Sequence, residues 1–381
     1  MKNNAKIIPC YAADTAGVCS ALYELGGMVI VHDASGCNST YSTHDEPRWF
    51  DKKSMIFISA LTEMDAVMGN DEKLINDICE AAEREKPKFI ALCGSPMPMM
   101  TGTDFDAVAE EIQQRTGITS FALHTNGMKS YLAGAGEAFK AIAERFVENK
   151  PKSNGLAVNI LGATPLDFPI DGTMDRIKAK VSDSGFDIIS CFGMGSSLEE
   201  IANAATARAN LVISYSGIPA AEFMRTRYGI PYVCGVPIGT KFSARLMEHL
   251  WSAANDELTL YPCAERKTYE DGCVIIGESI FAGSLAAALR MDADICTRII
   301  CPLDTETALL TGCDKQLSSE EDIENELAYE DIESVAADPM YKPIAGEHKF
   351  IELAHQAFSG RCYTKDIPDL INGDLKALFA D

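Results

Sequence analysis

At 381 residues and 47% hydrophobic composition, the chain is long enough to build two or three packed domains. Its formal net charge of −23 at pH 7 excludes phosphate-rich partners, so neither nucleic acid nor an anionic membrane surface is expected; a basic protein would suit it. No apolar run approaches the ~20 residues that cross a bilayer, and Met1-Lys2-Asn3-Asn4-Ala5-Lys6 lacks the apolar centre of a signal peptide, so the expected location is cytoplasmic.

In chain order, residues 1–150 alternate between strand and helix. Residues 16–25 have helical spacing, and 28–31 form a short apolar strand. A second strand covers 55–59, followed by a helix over 71–85 that closes at Lys86-Pro87, because the residue before proline disfavours helix. Strand 89–92, helix 106–115 stopped by Gly117, strand 119–123 and helix 132–147 complete the unit. Such a βαβ series implies a mainly parallel sheet. The polar stretch 148–155 marks the first boundary. The rhythm then repeats with strands at 156–161, 186–191, 211–214 and after Gly229-Ile230-Pro231, and helices at 174–184, 198–205, 220–228 and 243–254. A second polar joint at 265–272 leads to strand 273–276, helix 280–289 and strand 295–300. Residues 318–338 are acidic and read as a solvated helix or loop, or as a docking surface or lid. A last strand covers 350–353, and the tail from Gly360 is expected to fold back over another domain. The domains expected are 1–150, 151–265 and 266–381.

Thirteen cysteines are many for a reducing compartment, and their odd number without an export signal argues against a disulfide framework. There is no CxxC pair, so any metal centre must draw its ligands from distant parts of the chain. Cys10, Cys37 and Cys93 stand out because each lies beside a short apolar run, and Gly36 and Gly94 adjoin two of them, allowing tight turns and close approach to a ligand. Three thiols on loops beside a sheet suit an iron–sulfur cluster; spacing alone leaves a core role equally open, because a free cysteine also behaves as a small hydrophobe.

Cys10 with Ala16-Gly17-Val18-Cys19, then Val31-His32-Asp33-Ala34-Ser35-Gly36-Cys37-Asn38-Ser39-Thr40-Tyr41 and Arg48-Trp49-Phe50, resembles nitrogenase component 1, its beta-type chain most closely. Ser59 through Gly69, Cys93 with Gly102-Thr103-Asp104, Thr125-Asn126-Gly127 with Ser130, Asn159-Ile160-Leu161-Gly162, and Phe223 through Pro231 with Pro237-Ile238-Gly239 extend the resemblance over most of 8–300. It implies an α/β fold of three tandem Rossmann-like domains with mainly parallel sheets. It also implies that Cys10, Cys37 and Cys93 are the ligands one subunit gives to an iron–sulfur cluster, 4Fe–4S or larger, at a dimer interface. Cys19 and Ser130 are further candidates. Three cysteines per chain fit a cluster shared on a two-fold axis or a 4Fe–4S cluster completed by another ligand, and the dimer is either of like chains or with a homologous chain. Electrons in that family come from a separate P-loop ATP-dependent reductase; this chain has no G-x-x-x-x-G-K-[ST] and is not that partner.

The chain departs from the family at its second site. Ser214 stands where the catalytic nitrogenase chain has a cofactor-ligating cysteine, and neither His348 nor His355 matches the histidine ligand securely. A molybdenum cofactor and dinitrogen reduction are therefore not expected. The function expected is an oxidoreductase subunit passing low-potential electrons to a small-molecule or tetrapyrrole-like substrate. The alternatives are a non-catalytic metallocluster scaffold or carrier, and a metal-free small-molecule binding protein. His32 and His44 flank the cysteine loop as candidates for a proton or substrate role or for simple hydrogen bonding. Arg48 would stabilise a cluster's charge or pair with Asp45 or Glu46. Gly193-Met194-Gly195 before a helix would cradle an anion or merely turn the chain. Cys191 and Cys234 read as core residues.

Overall fold

The structure is a computed structural model describing residues 5–8, 10–36, 38–41, 43–69, 71–328, 331–365 and 367–379. Three parallel sheets follow one another along the chain. The first holds β1 (Met28–His32), β2 (Met55–Ile58), β3 (Ile90–Gly94) and β4 (Ser120–Leu123) in the order β2-β1-β3-β4. The second holds β5 (Ala157–Leu161), β6 (Asp187–Cys191), β7 (Ala209–Val212) and β8 (Tyr232–Cys234) in the order β6-β5-β7-β8. The third holds β9 (Gly272–Ile276), β10 (Thr297–Cys301), β11 (Lys315–Gln316), β12 (Ile332–Ala337) and β13 (Lys349–Glu352) in the order β11-β10-β9-β12-β13. This is the three-unit α/β architecture that the alternating periodicity predicts. Among the described residues, no helix is long and apolar enough to cross a membrane.

The first sheet shows how the sequence builds each layer. Successive strand residues face opposite sides. Met28, Ile30, Ile90 and Leu92 pack with Leu74, Ile78 and Ile112 of helices Asp71–Glu85 and Phe105–Thr116. Val29, Val31, Ala91 and Cys93 pack on the other face with Val18, Leu22, Ala135 and Phe139 of helices Asp14–Leu22 and Tyr131–Phe146. That second cluster continues through the second sheet into the third, so the three sheets share one core.

The helices Asp14–Leu22 and Tyr131–Phe146 cross almost backbone to backbone. A Cβ on Gly17 would lie 2.0 Å from the Tyr131 carbonyl, and one on Gly134 would lie 1.9 Å from the Asp14 carbonyl. Only glycine fits, because the atoms met are backbone and cannot swing away. Gly134→Ala should therefore cost about 3 kcal/mol, the upper end for overpacking, read as a lowered urea midpoint at unchanged slope. A loss under about 1 kcal/mol would show that the crossing relaxes freely.

Three expectations change. The acidic segment 318–338 is not one solvated helix or loop throughout. Ser319 caps a helix, Glu320–Leu327, and the rest supplies β12, which lies inside the third sheet between β9 and β13. Ile332, Val335, Ala336 and Ala337 are buried there; the flanking carboxylates hid their strand pattern. Glu326 itself is nearly buried and pairs with Arg298 and Lys315 at 2.6 Å each. Cys93 lies within β3 rather than on a loop beyond it. Ser214 lies two residues past the end of β7. The tail does fold back: Arg361 reaches Asp45 at 2.9 Å, Asp369 meets Arg176 at 3.3 Å, and Leu370, Ile371, Leu375 and Phe379 bury themselves in the shared core.

Candidate functional site

In an open parallel sheet, ligands bind beyond the carboxyl ends of the strands where the strand order reverses. That point lies between β1 and β3 in the first sheet, β5 and β7 in the second, and β9 and β12 in the third.

At the first of these points the cysteine segments meet. β1 and β3 run side by side, with Val31 opposite Cys93 and His32 opposite Gly94. The loop leaving β1 turns at Ser35, whose φ of 81° is unusual for a residue with a side chain. Asp33 accepts from Ser95 Oγ at 2.6 Å and from Asn38 Nδ2 at 2.9 Å. Asn38 also accepts from Thr15 Oγ1 at 3.0 Å, and the Tyr41 hydroxyl donates to the Tyr11 carbonyl at 3.2 Å. Asp33, Asn38 and Tyr41 thus strap the ends of β1 and β3 to the segment that follows Cys10. Cys37 lies outside the described residues.

The Cys10 and Cys93 thiols occupy different surroundings. Cys10 is half-buried, and its Sγ donates to the carbonyls of Ala357 at 3.4 Å and Ala12 at 3.5 Å. Burial pushes its thiol up to about 12. Cys93 is fully enclosed between β3 and its two helices, with Sγ 3.6 Å from the Ile30 carbonyl. Burial, with Cys19 and Asp14 nearby, holds its thiol protonated far above the ordinary range. All described cysteines are free. Among the described residues no three His, Cys, Asp or Glu side chains gather as a metal site.

Most other residues marked in the sequence have structural work. His32 Nδ1 sits 2.7 Å from Ser59 Oγ, and burial lowers its pKa. His44 is partly exposed beside Asp45, 3.9 Å away. Arg48 is buried, pairs with Glu46 at 2.7 Å and Glu24 at 3.1 Å, and donates to the carbonyls of Ser20 and Gly193. Gly195 N–H donates to Glu24 at 3.0 Å, so a carboxylate of this chain takes the place expected for an anion. Cys19, Cys191 and Cys234 are core residues. Ser130 Oγ donates to Asp304, and Ser214 Oγ pairs with Ser216 Oγ at 3.0 Å in the interior. His348 Nε2 meets the Leu327 carbonyl at 2.7 Å.

The sequence reading missed a second constellation, where the reversal points of the second and third sheets converge. Asp167 follows β5, Glu278 follows β9 and Asp338 follows β12, and all three carboxylates are buried. Tyr131 donates its hydroxyl to Asp167. Glu278 caps helix Ser279–Ala288, accepting from the backbone N–H of Ile280 at 3.0 Å and Phe281 at 2.9 Å, and from Tyr215 at 3.1 Å. Asp338 accepts from the His355 N–H at 2.8 Å and Ser359 Oγ at 2.8 Å. The signal available was a lone carboxylate just after an apolar strand, which has no spacing of its own.

Burial, then the charge of Asp167, raises Glu278 from 4.5 to about 7. Between those values the folded chain keeps a proton that the unfolded chain releases, so this group's contribution to stability falls as pH rises through the window and is flat above it. The stability gap between Glu278→Gln and the wild type should shift by about 3 kcal/mol in favour of Gln between about pH 4 and 8. Urea unfolding at several pH values checks this; a gap independent of pH would contradict it.

Beside Asp167 and His355 opens a cleft, ≈ 540 Å³ with the open solvent at its mouth included, walled by Pro165, Phe168, Phe281, Leu353 and Leu370. It shares Pro165, Pro169, Gln356 and Ile367 with a neighbouring cleft of ≈ 820 Å³ that reaches His44, Phe50 and Arg361. That cleft in turn shares His44 and Arg361 with an open one of ≈ 1100 Å³ beside Tyr11. The series runs from Tyr11, next to Cys10, to the buried Asp167.

Comparison with known proteins gives a consistent family. The family described as nitrogenase component 1 type oxidoreductase matches residues 14–299. The chain is 26% identical to the nitrogenase molybdenum-iron protein alpha chain of Methanosarcina barkeri, over 70% of this chain and 51% of that one. It is 26% identical to the nitrogenase iron-molybdenum cofactor biosynthesis protein NifN of Bradyrhizobium diazoefficiens, over 58% of this chain and 53% of that one. It is 25% identical to a chain of the light-independent protochlorophyllide reductase of Leptolyngbya boryana, over 49% of this chain and 39% of that one. The chain thus spans about half or less of the length of these relatives. The solved structure of nitrogenase Cp1 at pH 6.5 superposes with a TM-score of 0.71 at 14% identity, covering 99% of this chain and 93% of that one, which is a likeness of fold.

Proposed function

We propose that this chain, which belongs to the nitrogenase component 1 type oxidoreductase family, is the substrate-side subunit of a two-component reductase. It holds an iron–sulfur cluster through Cys10, Cys37 and Cys93 where two chains meet. It takes electrons from a separate P-loop ATP-dependent reductase and delivers them to a small-molecule or tetrapyrrole-like substrate. The observation that supports this reading is the meeting of segments 10–15, 33–36, 38–41 and 93–95 at the reversal point of the first sheet, next to the clefts.

The donors fit such a cluster in kind. Soft thiols are its ordinary ligands, every described cysteine is unpaired, and Cys10 lies half-buried at the segment junction. When bound, the cluster supplies a low-potential one-electron carrier. The chain's own part is to exclude water from it, to tie Asn38 and Ser95 to Asp33 after β1, and to present the clefts to substrate. Because both described thiols are held protonated, loading would release protons.

A second reading, a non-catalytic scaffold or carrier of metal clusters, is favoured by likeness to proteins named for cofactor biosynthesis. Reductive titration under anaerobic conditions separates the readings. A reductase subunit should show visible absorption that a low-potential reductant bleaches and re-oxidation restores, with iron retained. Iron that leaves for an apo-acceptor protein would favour the carrier. Colourless protein after reconstitution would overturn both.

A further inference from the structure

We propose that the cleft between the second and third sheets binds a small aromatic or other apolar molecule carrying a protonated amine or N–H group, with Asp167 as its anchor and His355 beside it. The proposal deepens the reductase reading and rests on it only for calling that molecule the substrate.

The cleft holds unspent hydrogen-bonding capacity. A buried polar atom without a partner costs free energy, so native proteins leave few. Among the described residues, Asp167 Oδ2 accepts no hydrogen bond, and neither ring nitrogen of His355 makes one. Asp167 is only 5% exposed. Its other oxygen is committed to the Tyr131 hydroxyl. His355 Nε2 stops 3.4 Å from Asp167 Oδ1 without the alignment of a bond. Both residues line the same cleft.

His355 is held firmly for a residue with idle nitrogens. Its backbone N–H is tied to Asp338. Its ring packs edge-on against Phe358, with centroids 4.9 Å apart, and against Phe281 at 6.4 Å. The cleft is therefore preformed around unpaired groups, the usual form of a small-molecule site.

The chemistry of those groups selects the ligand. A free carboxylate oxygen needs a donor, and the nearby Glu278 carboxylate adds negative potential when ionised. No lysine or arginine lines the cleft among the described residues. An anion would meet uncompensated repulsion; an ammonium or heterocyclic N–H would supply the missing charge-assisted bond. The walls, Pro165, Phe168, Phe281, Leu353 and Leu370, call for an apolar body, and Phe168 and Phe281 for a flat or cationic one.

Isothermal titration of the full chain with benzylamine, benzyl alcohol and benzoate tests this without any cluster. Benzylamine should bind at least about tenfold tighter than benzyl alcohol, a difference of about 1.4 kcal/mol, and benzoate should not bind measurably. Asp167→Asn should remove that preference while leaving the weak binding of benzyl alcohol in place. Absence of binding by all three, equal binding by amine and alcohol in the wild type, or a preference that survives Asp167→Asn would each overturn the proposal. Because the probes need no iron, this test can fail while the cluster reading stands, or succeed while that reading fails.

Discussion

Arg48→Ala should lower the unfolding free energy by about 3–5 kcal/mol, the range for breaking a buried ion pair by removing one partner. The guanidinium is 3% exposed and none of its donors is idle. It binds both oxygens of Glu46, at 2.7 and 3.0 Å, one oxygen of Glu24 at 3.1 Å, and the carbonyls of Ser20 at 2.6 Å and Gly193 at 2.9 Å. It also lies over the Tyr23 ring at 4.7 Å. Its loss would leave the buried Glu46 with only the backbone N–H of residue 48, leave Glu24 with Lys52 and the Gly195 N–H, and remove the bond that ties the Gly193 carbonyl of the second unit to the first. Urea unfolding followed by circular dichroism reads the loss. Arg48→Lys should recover only part of it, since an ammonium cannot reproduce the planar fork. A full rescue by lysine would mean that charge alone matters at this position, as it would if Arg48 served to balance a cluster.

Cys10→Ala and Cys37→Ala should each reduce bound iron after anaerobic reconstitution to about a tenth of wild type or less, because a cluster that loses a ligand loses both a bond and its screen from water. Cys10→Ala is the cleaner case. Its thiol is half-buried and hydrogen-bonded only to carbonyls, so the fold should survive its removal. Cys93→Ala should lose iron as well, with a small cost of its own from the void left in the core. Cys191→Ala and Cys234→Ala, both buried in the second sheet, are the controls and should keep wild-type iron. Equal iron in all five variants would remove the three cysteines from the proposed ligand set.

The helices and strands were legible wherever period and punctuation agree. Helix Asp71–Glu85 before Lys86-Pro87 and helix Phe105–Thr116 before Gly117 are such cases, because their signals are local. β12 was not legible. Its apolar residues are interleaved with Asp331, Glu333 and Asp338, and only pairing with β13 and with β9, which is distant in sequence, makes that stretch a strand. The strand orders are equally non-local, and with them the reversal points that place ligands.

The proposed cluster ligands carry a signal in the sequence, and the carboxylates of the second constellation carry none. Cys10, Cys37 and Cys93 drew notice because glycines and apolar runs flank them. Asp167, Glu278 and Asp338 did not, because each is a single acid in an ordinary loop, and convergence of two sheets gives them meaning. His355 stands out in the sequence only as a poor match for a metal ligand; its free nitrogens and its place beside Asp167 emerge only in three dimensions. Arg48 has two roles open to it in the sequence, and the fork it makes with Glu46 and Glu24 accounts for a full charge in a buried place.

The most direct test of the central claim is iron and acid-labile sulfide analysis of the wild-type chain purified under strict anaerobiosis. Iron and sulfide in near-equal amounts, several of each per pair of chains, is the result expected of a cluster held where two chains meet. Protein that remains free of both after reconstitution with iron and sulfide would contradict the account.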